Sequence, residues 1–127
     1  MLQKKFYQCN HCKNLFGVIN DAGVTPLCCG EPMQVLVPNT TDAAQEKHVP
    51  VIERDGVNVT IKVGSVPHPM LEEHYIQWII CMQGGKTERV VLKPGEEPVA
   101  TFVVDDPTAP ITAYEFCNLH GLWAAEI

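Results

Sequence analysis

The chain has 127 residues, 46% of them hydrophobic, and a formal net charge of −6. This composition is typical of a folded globular protein with room for one medium domain and a small appendage. The negative charge argues against nucleic acid as a partner, because phosphate contacts require clustered Lys and Arg. The chain has no apolar run of about eighteen residues, so no transmembrane helix is predicted.

The N-terminal residues and the cysteines indicate a reducing compartment. Residues 1–6 lack the apolar core of a signal peptide. We therefore expect a cytoplasmic protein, in which the six cysteines are more often metal ligands than disulfides. Two disulfides in the first segment are the alternative that this compartment argues against.

Residues 1–37 are predicted to form a separate small domain. Cys9 and Cys12 form a CxxC knuckle, and the adjacent pair Cys28 and Cys29 follows after fifteen residues. Short strands are predicted over 5–8, 15–19 and 33–37. A segment below about 40 residues buries too little surface to fold unaided, so a bound metal is the expected staple. His11 lies within the knuckle and is expected to face solvent, since four thiols are already available.

The identity of this first metal is open on spacing alone, because zinc and iron both accept four thiolates in a tetrahedron. The adjacency of Cys28 and Cys29 predicts a distorted tetrahedron. The knuckle followed by Cys28-Cys29-Gly30-Glu31-Pro32-Met33 resembles desulforedoxin, a small iron–tetrathiolate protein. That resemblance implies iron bound by Cys9, Cys12, Cys28 and Cys29.

A polar, turn-prone linker is predicted over 38–47, and a second domain over 48–127. The second domain shows no long helical pattern and reads as seven short strands with turns every eight to twelve residues. This spacing predicts an all-β, antiparallel sandwich of the immunoglobulin-like type. The predicted strands are 49–54, 57–63, 75–82, 87–92, 99–104, 112–116 and 122–127.

The period-two pattern of these strands also predicts the core between the two sheets. Cys81 lies in mid-strand among apolar neighbours, so it is expected to fill core space and not to bind metal. The other predicted core residues are Val59, Ile61, Ile76, Trp78, Ile80, Val91, Phe102, Val104 and Phe116.

Histidines and one cysteine of the second domain form a candidate metal centre. Cys117 and His120 lie three positions apart around a turn closed by Gly121, so both can face one ion. His48, His68 and His74 each lie beside a chain-bending or strand-ending signal. Four imidazoles and one thiolate are typical of a redox-active transition metal, because a closed zinc site stops at four ligands.

The sequence from Glu46-Lys47-His48, through His68 and His74, to Cys117-Asn118-Leu119-His120-Gly121-Leu122-Trp123 resembles superoxide reductase. Together with the desulforedoxin-like segment, the chain resembles the two-iron desulfoferrodoxin family from Cys9 to Trp123. The resemblance implies an iron with the four histidines in a plane and Cys117 axial. It further implies that superoxide takes one electron from ferrous iron and leaves as hydrogen peroxide.

In that family the residue at Glu46 can bind the oxidised iron, and the residue at Lys47 lies over the open face. Without the neighbouring His48, the same pair would read as exposed, solvated charges at the end of a linker. The resemblance also implies re-reduction by a rubredoxin-like donor and a homodimer. Two other functions stay open on the residues: a non-catalytic two-iron electron carrier, and a structural zinc ribbon attached to a binding sandwich.

Overall fold

The structure, a computed structural model, describes residues 4–127 of the chain. The described chain divides into two compact units, one ending at Val37 and the other comprising Pro38–Ile127. Residues 1–3 of the predicted first domain lie outside the described residues. Each unit is built from antiparallel β-structure.

The first unit contains five short strands: β1 (Phe6–Gln8), β2 (Leu15–Gly17), β3 (Leu27–Cys28), β4 (Glu31–Pro32) and β5 (Gln34–Val35). Three of them form a sheet in the order β2-β1-β5, and β3 pairs with β4 in a hairpin. The three strands of this sheet lie within the three predicted strands, and each is shorter than predicted. The hairpin was not predicted, because strands of two residues are too short to show a period.

The first unit has a small interior that includes one of its own cysteines. Tyr7, Cys9 and Met33 are buried together, with Val18 and Cys28 packed against them. Two candidate metal ligands therefore belong to the packing of this unit. So little buried apolar area cannot offset the entropy of ordering the chain, which is the reason for expecting a metal staple.

The second unit contains one short helix and seven strands among its residues. They are α1 (Gln45–His48), β6 (Pro50–Asp55), β7 (Asn58–Val63), β8 (Ile76–Gln83), β9 (Lys86–Val91), β10 (Val99–Val103), β11 (Thr112–Cys117) and β12 (Gly121–Glu126). The strands form two sheets, in the orders β10-β7-β6 and β12-β11-β8-β9. This arrangement confirms the all-β, antiparallel, immunoglobulin-like class. Each strand end lies within one residue of its predicted position.

The predicted linker contains the one helical turn found in the described residues. Helix α1 has four residues and no side-chain cap at its N-terminus, so its sequence shows no helical period. Among the described residues there is no helix with the length and apolarity needed to cross a bilayer. The start of this segment also binds the sandwich: the amide side chain of Asn39 donates to Ala124 O at 3.0 Å and accepts from Ala124 N at 2.9 Å.

The core prediction was right for one sheet and partly wrong for the other. Ile79 and Cys81 are the β8 residues of the inter-sheet core, together with Ile76 at the start of the strand. Side chains alternate along a strand, so Trp78 and Ile80 lie on the opposite face, where Trp78 stacks on Phe116 at 5.9 Å. They are buried there. The predicted members that do belong to the core are Val59, Ile61, Ile76, Phe102 and Val104.

Val91 is a clear error of the prediction, since 59% of its surface is exposed while Val90 packs against the core. Strands β8 and β9 carry apolar residues on both faces, so alternation alone does not show which face turns inward. Cys81 is buried in the core and belongs to neither cluster of candidate ligands, which confirms it as core filler.

Candidate metal centres

Four imidazole rings of the second unit form a closed ring. The centroids of successive rings lie 4.6 Å apart for His48–His68, 4.7 Å for His68–His74, 5.0 Å for His74–His120 and 4.9 Å for His120–His48. The planes of neighbouring rings are inclined by 72° to 88°. The structure therefore brings together all four histidines predicted for this site, although up to 72 residues separate them.

The ligand atoms of these rings converge with the thiol of Cys117. Nε2 of His48 lies 3.1 Å from Nε2 of His68 and 3.1 Å from Nδ1 of His120. The Cys117 sulfur lies 3.5 Å from His68 Nε2 and 3.9 Å from His120 Nδ1. Nitrogens at right angles around a metal, with bonds of about 2.1 Å, would lie about 3 Å apart. The spacing of the nitrogens suits a common metal ion.

Two backbone carbonyls set the protonation of the first two rings. Nδ1 of His48 lies 2.7 Å from Ala44 O, and Nδ1 of His68 lies 2.6 Å from Pro69 O. A carbonyl only accepts, so both Nδ1 atoms carry the proton. In a neutral ring the Nε2 atom then presents a lone pair, and two such lone pairs face each other across 3.1 Å. This arrangement requires a cation between them, as in metal sites whose ligands are oriented by outer hydrogen bonds.

Burial favours the neutral form of three of the rings. It lowers the pKa of His48 and of His74, and it lowers the pKa of His68 to about 4. Nε2 of His74 is buried without a hydrogen-bond partner, as expected for a nitrogen whose partner is a metal ion. Burial raises the pKa of the Cys117 thiol, although backbone N–H groups of His120 and Leu119 act to lower it. A bound cation would reverse this rise by stabilising the thiolate.

The residues fit iron better than a structural zinc. Five donors converge within 4.8 Å of one another, whereas a closed zinc site uses four. Neutral imidazoles suit iron, zinc, copper and nickel, and thiolate adds a soft, electron-rich donor. The donor set therefore points to a redox-active metal with room for a further ligand.

Two residues that hold the site together were named only as parts of a motif by the sequence. Trp123 stacks on His48 with centroids 4.9 Å apart, and its indole N–H donates to His120 O at 3.0 Å. The side chain of Asn118 accepts from Tyr75 N at 2.9 Å and donates to Glu73 O at 3.0 Å. Asn118 therefore ties the Cys117–His120 turn to the segment that carries His74.

Glu115 is a third residue that the sequence did not single out. It is fully buried on β11, two positions before Cys117, and neither carboxylate oxygen has a hydrogen-bond partner. Burial raises its pKa well above the ordinary value, because a charged carboxylate is poorly solvated there. The apolar run around it was the available signal, since an acidic residue there is unusual.

Glu46 and Lys47 lie on helix α1, directly before the buried His48, and both are exposed. The Lys47 ammonium adds to the lowering of the pKa of His48 and of His74, after burial and the neighbouring imidazoles. Its charge therefore acts on rings from two sides of the closed ring.

The first unit carries the second cluster. The ligand sulfurs of Cys9, Cys12, Cys28 and Cys29 lie within 4.8 Å of one another, and the sulfurs of Cys12 and Cys28 are 3.6 Å apart. Sulfurs at the corners of a tetrahedron with bonds of about 2.3 Å would lie about 3.8 Å apart. All four cysteines are free, so the spacing suits a metal bound by four thiolates.

The thiols of this cluster need a cation in order to ionise together. Backbone N–H groups of Cys12 and His11 donate to the Cys9 sulfur at 3.4 Å each and lower its pKa to about 6. Hydrogen bonds with Cys12 and Cys9 raise the pKa of Cys29 to about 12. The first thiolate therefore disfavours the others, and a metal ion would remove this penalty.

His11 faces solvent as predicted. It is exposed, and its Nε2 lies 3.0 Å from Glu31 Oε2. It lies outside the group of four sulfurs.

Comparison with known proteins gives consistent results. The sequence model described as desulfoferrodoxin matches residues 40–126. A desulfoferrodoxin of Syntrophotalea carbinolica is 48% identical over 120 residues, which cover 94% of each chain. Among solved structures, the superoxide reductase from Treponema pallidum has a TM-score of 0.78 and 37% identity, covering 98% of this chain and 99% of its own.

A shorter solved structure matches a smaller share of the chain. The superoxide reductase (1Fe-SOR) from Giardia intestinalis has a TM-score of 0.59 and 38% identity. The match covers 65% of this chain and 97% of the Giardia protein.

Proposed function

The chain belongs to the desulfoferrodoxin family, and from this premise we propose that it is a superoxide reductase. The observation that carries the proposal is the closed ring of four imidazoles with the Cys117 thiol beside it. An iron held by these residues would supply the one electron that superoxide takes up. Each superoxide takes up that electron and two protons and leaves as one hydrogen peroxide, so no oxygen is released.

The ligands of this iron are His48, His68, His74, His120 and Cys117. The carbonyls of Ala44 and Pro69 orient the first two rings, so that their lone pairs face inward before the metal binds. Cys117 contributes an electron-rich sulfur, which favours departure of the product once it is protonated. Burial of Cys117 keeps water away from that sulfur.

Lys47 and Glu46 have separate roles in this proposal. Lys47 is an exposed cation beside the site, and it draws the superoxide anion toward the ring of imidazoles. Glu46 is an exposed carboxylate one position earlier, and it acts as a ligand of the oxidised centre only. The charge of Lys47 acts on two of the rings, which supports the first role.

The electron comes from an external donor, which we propose to be a rubredoxin-like protein. His48 and His68 are buried, whereas His74 and His120 are half-buried. A donor protein therefore approaches the site most closely at the edges of the latter two rings. Leu71 and Leu119 flank these edges and are 55% and 60% exposed, and they offer apolar contact area to such a partner.

Residues 1–37 form an accessory tetrathiolate iron domain in this proposal, residues 48–127 form the catalytic domain, and residues 38–47 connect them. The two complete and separate ligand sets support this division. The vicinal cysteines and the desulforedoxin-like sequence favour iron in the first site. Cys12 and Cys29 are exposed, so this iron would lie near the surface.

We further propose that the protein is a cytoplasmic homodimer. The cytoplasm is supported by the free state of all six cysteines, because exposed thiol pairs persist in reducing compartments. The dimer is supported by large apolar side chains that the first unit exposes, among them Ile19, Val24 and Leu27. Sedimentation equilibrium of the iron-loaded protein tests the dimer.

Superoxide consumption by the reduced full chain tests the function. One peroxide per superoxide and no oxygen evolution are expected, and the zinc-loaded chain is the matched control without reducing power. Slow oxidation of both irons by superoxide, without stoichiometric peroxide, would instead favour the non-catalytic electron carrier. A colourless protein that retains only zinc would favour the zinc ribbon, because ferric thiolates absorb visible light.

A further inference from the structure

Gly64, at the end of β7, lies against the backbone of the segment that carries Glu46, Lys47 and His48. It is buried, and a Cβ at this position would lie 2.6 Å from Glu46 O, 3.0 Å from Lys47 C and 3.1 Å from His48 N. All three are backbone atoms, which cannot swing aside as the end of a side chain can. Gly64 does not have a positive φ, so the lack of space for a Cβ, and not φ, argues for glycine here.

The two residues after Gly64 bind the same segment by hydrogen bonds. The backbone N–H of Val66 donates to Glu46 O at 2.9 Å, and the hydroxyl of Ser65 donates to the same oxygen at 3.2 Å. One carbonyl thus receives two donors from one turn. The contact with Gly64 and the two hydrogen bonds fix the backbone at Glu46 from the same side.

Helix α1 cannot hold this position by itself. It has four residues and no side-chain cap, and an isolated helix shorter than about 12 residues is marginal in water. Its backbone bonds are Lys47 N to Ala44 O at 3.3 Å and Val49 N to Gln45 O at 2.9 Å. Its placement must therefore come from tertiary contacts, among which the turn Gly64–Val66 meets it at Glu46.

We propose that the turn Gly64–Val66 is a positioning element for superoxide capture, because it sets where Lys47 stands relative to the ring of imidazoles. The proposal rests on the proposed function, in which Lys47 attracts the anion. The turn is well placed for this task because it also leads into His68, whose backbone N–H donates to Val63 O at 3.0 Å. The turn therefore leads into one candidate ligand, His68, and contacts the segment that bears another candidate ligand and the cation.

The experiment compares Gly64→Ala with Gly85→Ala in the full iron-loaded chain. Gly85 lies in the turn between β8 and β9, does not have a positive φ, and has nothing within 4 Å of its would-be Cβ. It is therefore a matched control for the same chemical change. Ser65→Ala is a milder variant, because it removes one hydroxyl donor and adds no atom.

Two readouts separate positioning from general stability. The first is deuterium exchange of peptides that cover residues 45–49, measured without superoxide. The second is the superoxide rate per bound iron across a salt series. For Gly64→Ala we expect faster exchange in 45–49, a rate about tenfold lower and a weaker decline with salt, since a focused cation raises capture by about tenfold or more. Ser65→Ala should change the exchange, the rate and its salt dependence in the same direction but by less. Gly85→Ala should match the parent in all of them.

A double-mutant cycle with Lys47→Ala gives the sharpest test. If the turn acts through Lys47, adding Gly64→Ala to Lys47→Ala should lower the rate no further, because coupled residues do not add. Additive losses of rate in the double variant would overturn the proposal. It would also be overturned if Gly64→Ala exchanged residues 45–49 as slowly as the parent, or if it lost iron but kept the parent rate per bound iron. If Gly64→Ala does not fold, Ser65→Ala is judged by the same criteria.

Failure of the proposed function is distinguishable from failure of this inference. A parent chain that does not reduce superoxide overturns the proposed function. Faster exchange of residues 45–49 in Gly64→Ala would then still show that the turn positions this segment. Exchange equal to that of the parent would overturn the positioning as well.

Discussion

The two ligand clusters differ in what holds their side chains in place. In the first unit, Cys9 and Cys28 are themselves part of the small interior around Tyr7 and Met33. In the second unit Cys117 also belongs to the core, but that core extends well beyond the site, for example to Phe102 and Ile111, and the four histidines lie outside the strands. The first cluster therefore makes up much of its unit's small interior, whereas the second contributes one residue to a large core.

Outer contacts show the same difference. The rings of His48 and His68 are hydrogen-bonded to the carbonyls of Ala44 and Pro69, and the Trp123 indole N–H donates to the backbone carbonyl of His120. The Cys9 sulfur instead receives N–H groups from its own knuckle. The knuckle binds its metal with little supporting structure, whereas the four imidazoles come from positions up to 72 residues apart and are held by long-range contacts such as the stacking of Trp123 on His48. The five predictions below test this contrast, from the largest expected effect to the smallest.

Metal removal should unfold the first unit and leave the second unit folded. We expect the metal-free first unit to unfold, since structural tetrahedral sites supply about 10 kcal/mol or more of folding free energy to small domains. The sandwich should stay folded. Deuterium exchange of the metal-free full chain checks this, with zinc addition as the control that restores the first unit. Slow exchange of residues 4–37 without metal would contradict the contrast.

Replacing Cys117 by serine should abolish most of the activity. The variant keeps a small donor atom but loses the soft sulfur, and the charge-transfer absorbance of the oxidised centre should disappear. Loss of an outer partner of a ligand costs about 10- to 100-fold, so we expect the rate per bound iron to fall by more than about 100-fold. Cys81→Ser is the matched control, since this buried cysteine lies outside both clusters; full activity of iron-loaded Cys117→Ser would refute the assignment.

Replacing Cys12 by serine should disturb only the first unit. The tetrathiolate absorbance should bleach and deuterium exchange in residues 4–37 should rise. Superoxide reduction by the pre-reduced second centre should remain, because its ligands and their partners lie in residues 38–127. His11→Ala, an exposed non-ligand in the same knuckle, should change neither property. If Cys12→Ser loses its reaction with superoxide while the second iron stays bound, the division of labour is wrong.

Lys47→Ala should slow the reaction with superoxide by about tenfold and weaken its decline with salt. The net charge of −6 repels the anion, but that field is screened over about 8 Å at physiological ionic strength, so a cation at the site dominates. Lys47→Arg should restore both properties. Glu46→Ala should keep the rate and change the oxidised spectrum. Stopped-flow rates in a salt series test this prediction. If Lys47→Ala equals the parent in rate and salt dependence, another residue attracts the superoxide anion.

Asp106, remote from both ligand sets, should have the smallest effect. Its carboxylate accepts from Thr108 N–H at 2.8 Å, the Thr108 hydroxyl at 3.0 Å and Ala109 N–H at 3.1 Å. These bonds, led by the Thr108 N–H, hold its pKa below the ordinary 3.8. A folded pKa below the unfolded one gives stability that is present above about pH 4 and is lost as the pH falls further.

Urea unfolding of the metal-free chain with Asp106→Asn checks this effect, followed by the fluorescence of Trp78 and Trp123, which both report on the sandwich. The stability difference from the parent should be constant near neutral pH and should shrink below about pH 4. A difference that grows with acidity would contradict the assigned sign.

The sequence by itself determined the elements and the ligand types. Turn residues and period-two alternation located the seven strands of the sandwich to within one residue, because these signals are local. The CxxC knuckle likewise fixes two sulfurs on one short turn. The types and order of the histidines and Cys117, together with their resemblance to superoxide reductase, indicated the second site.

Only the tertiary structure decided the inward face of β8 and the partners of each ligand. Ile79 and Trp78 are both apolar, so the pattern offered two faces and packing chose between them. The close contact of Gly64 with the backbone of residues 46–48 likewise left no local signal. Such contacts join residues distant in the chain through backbone atoms and packing, which side-chain type and spacing do not encode.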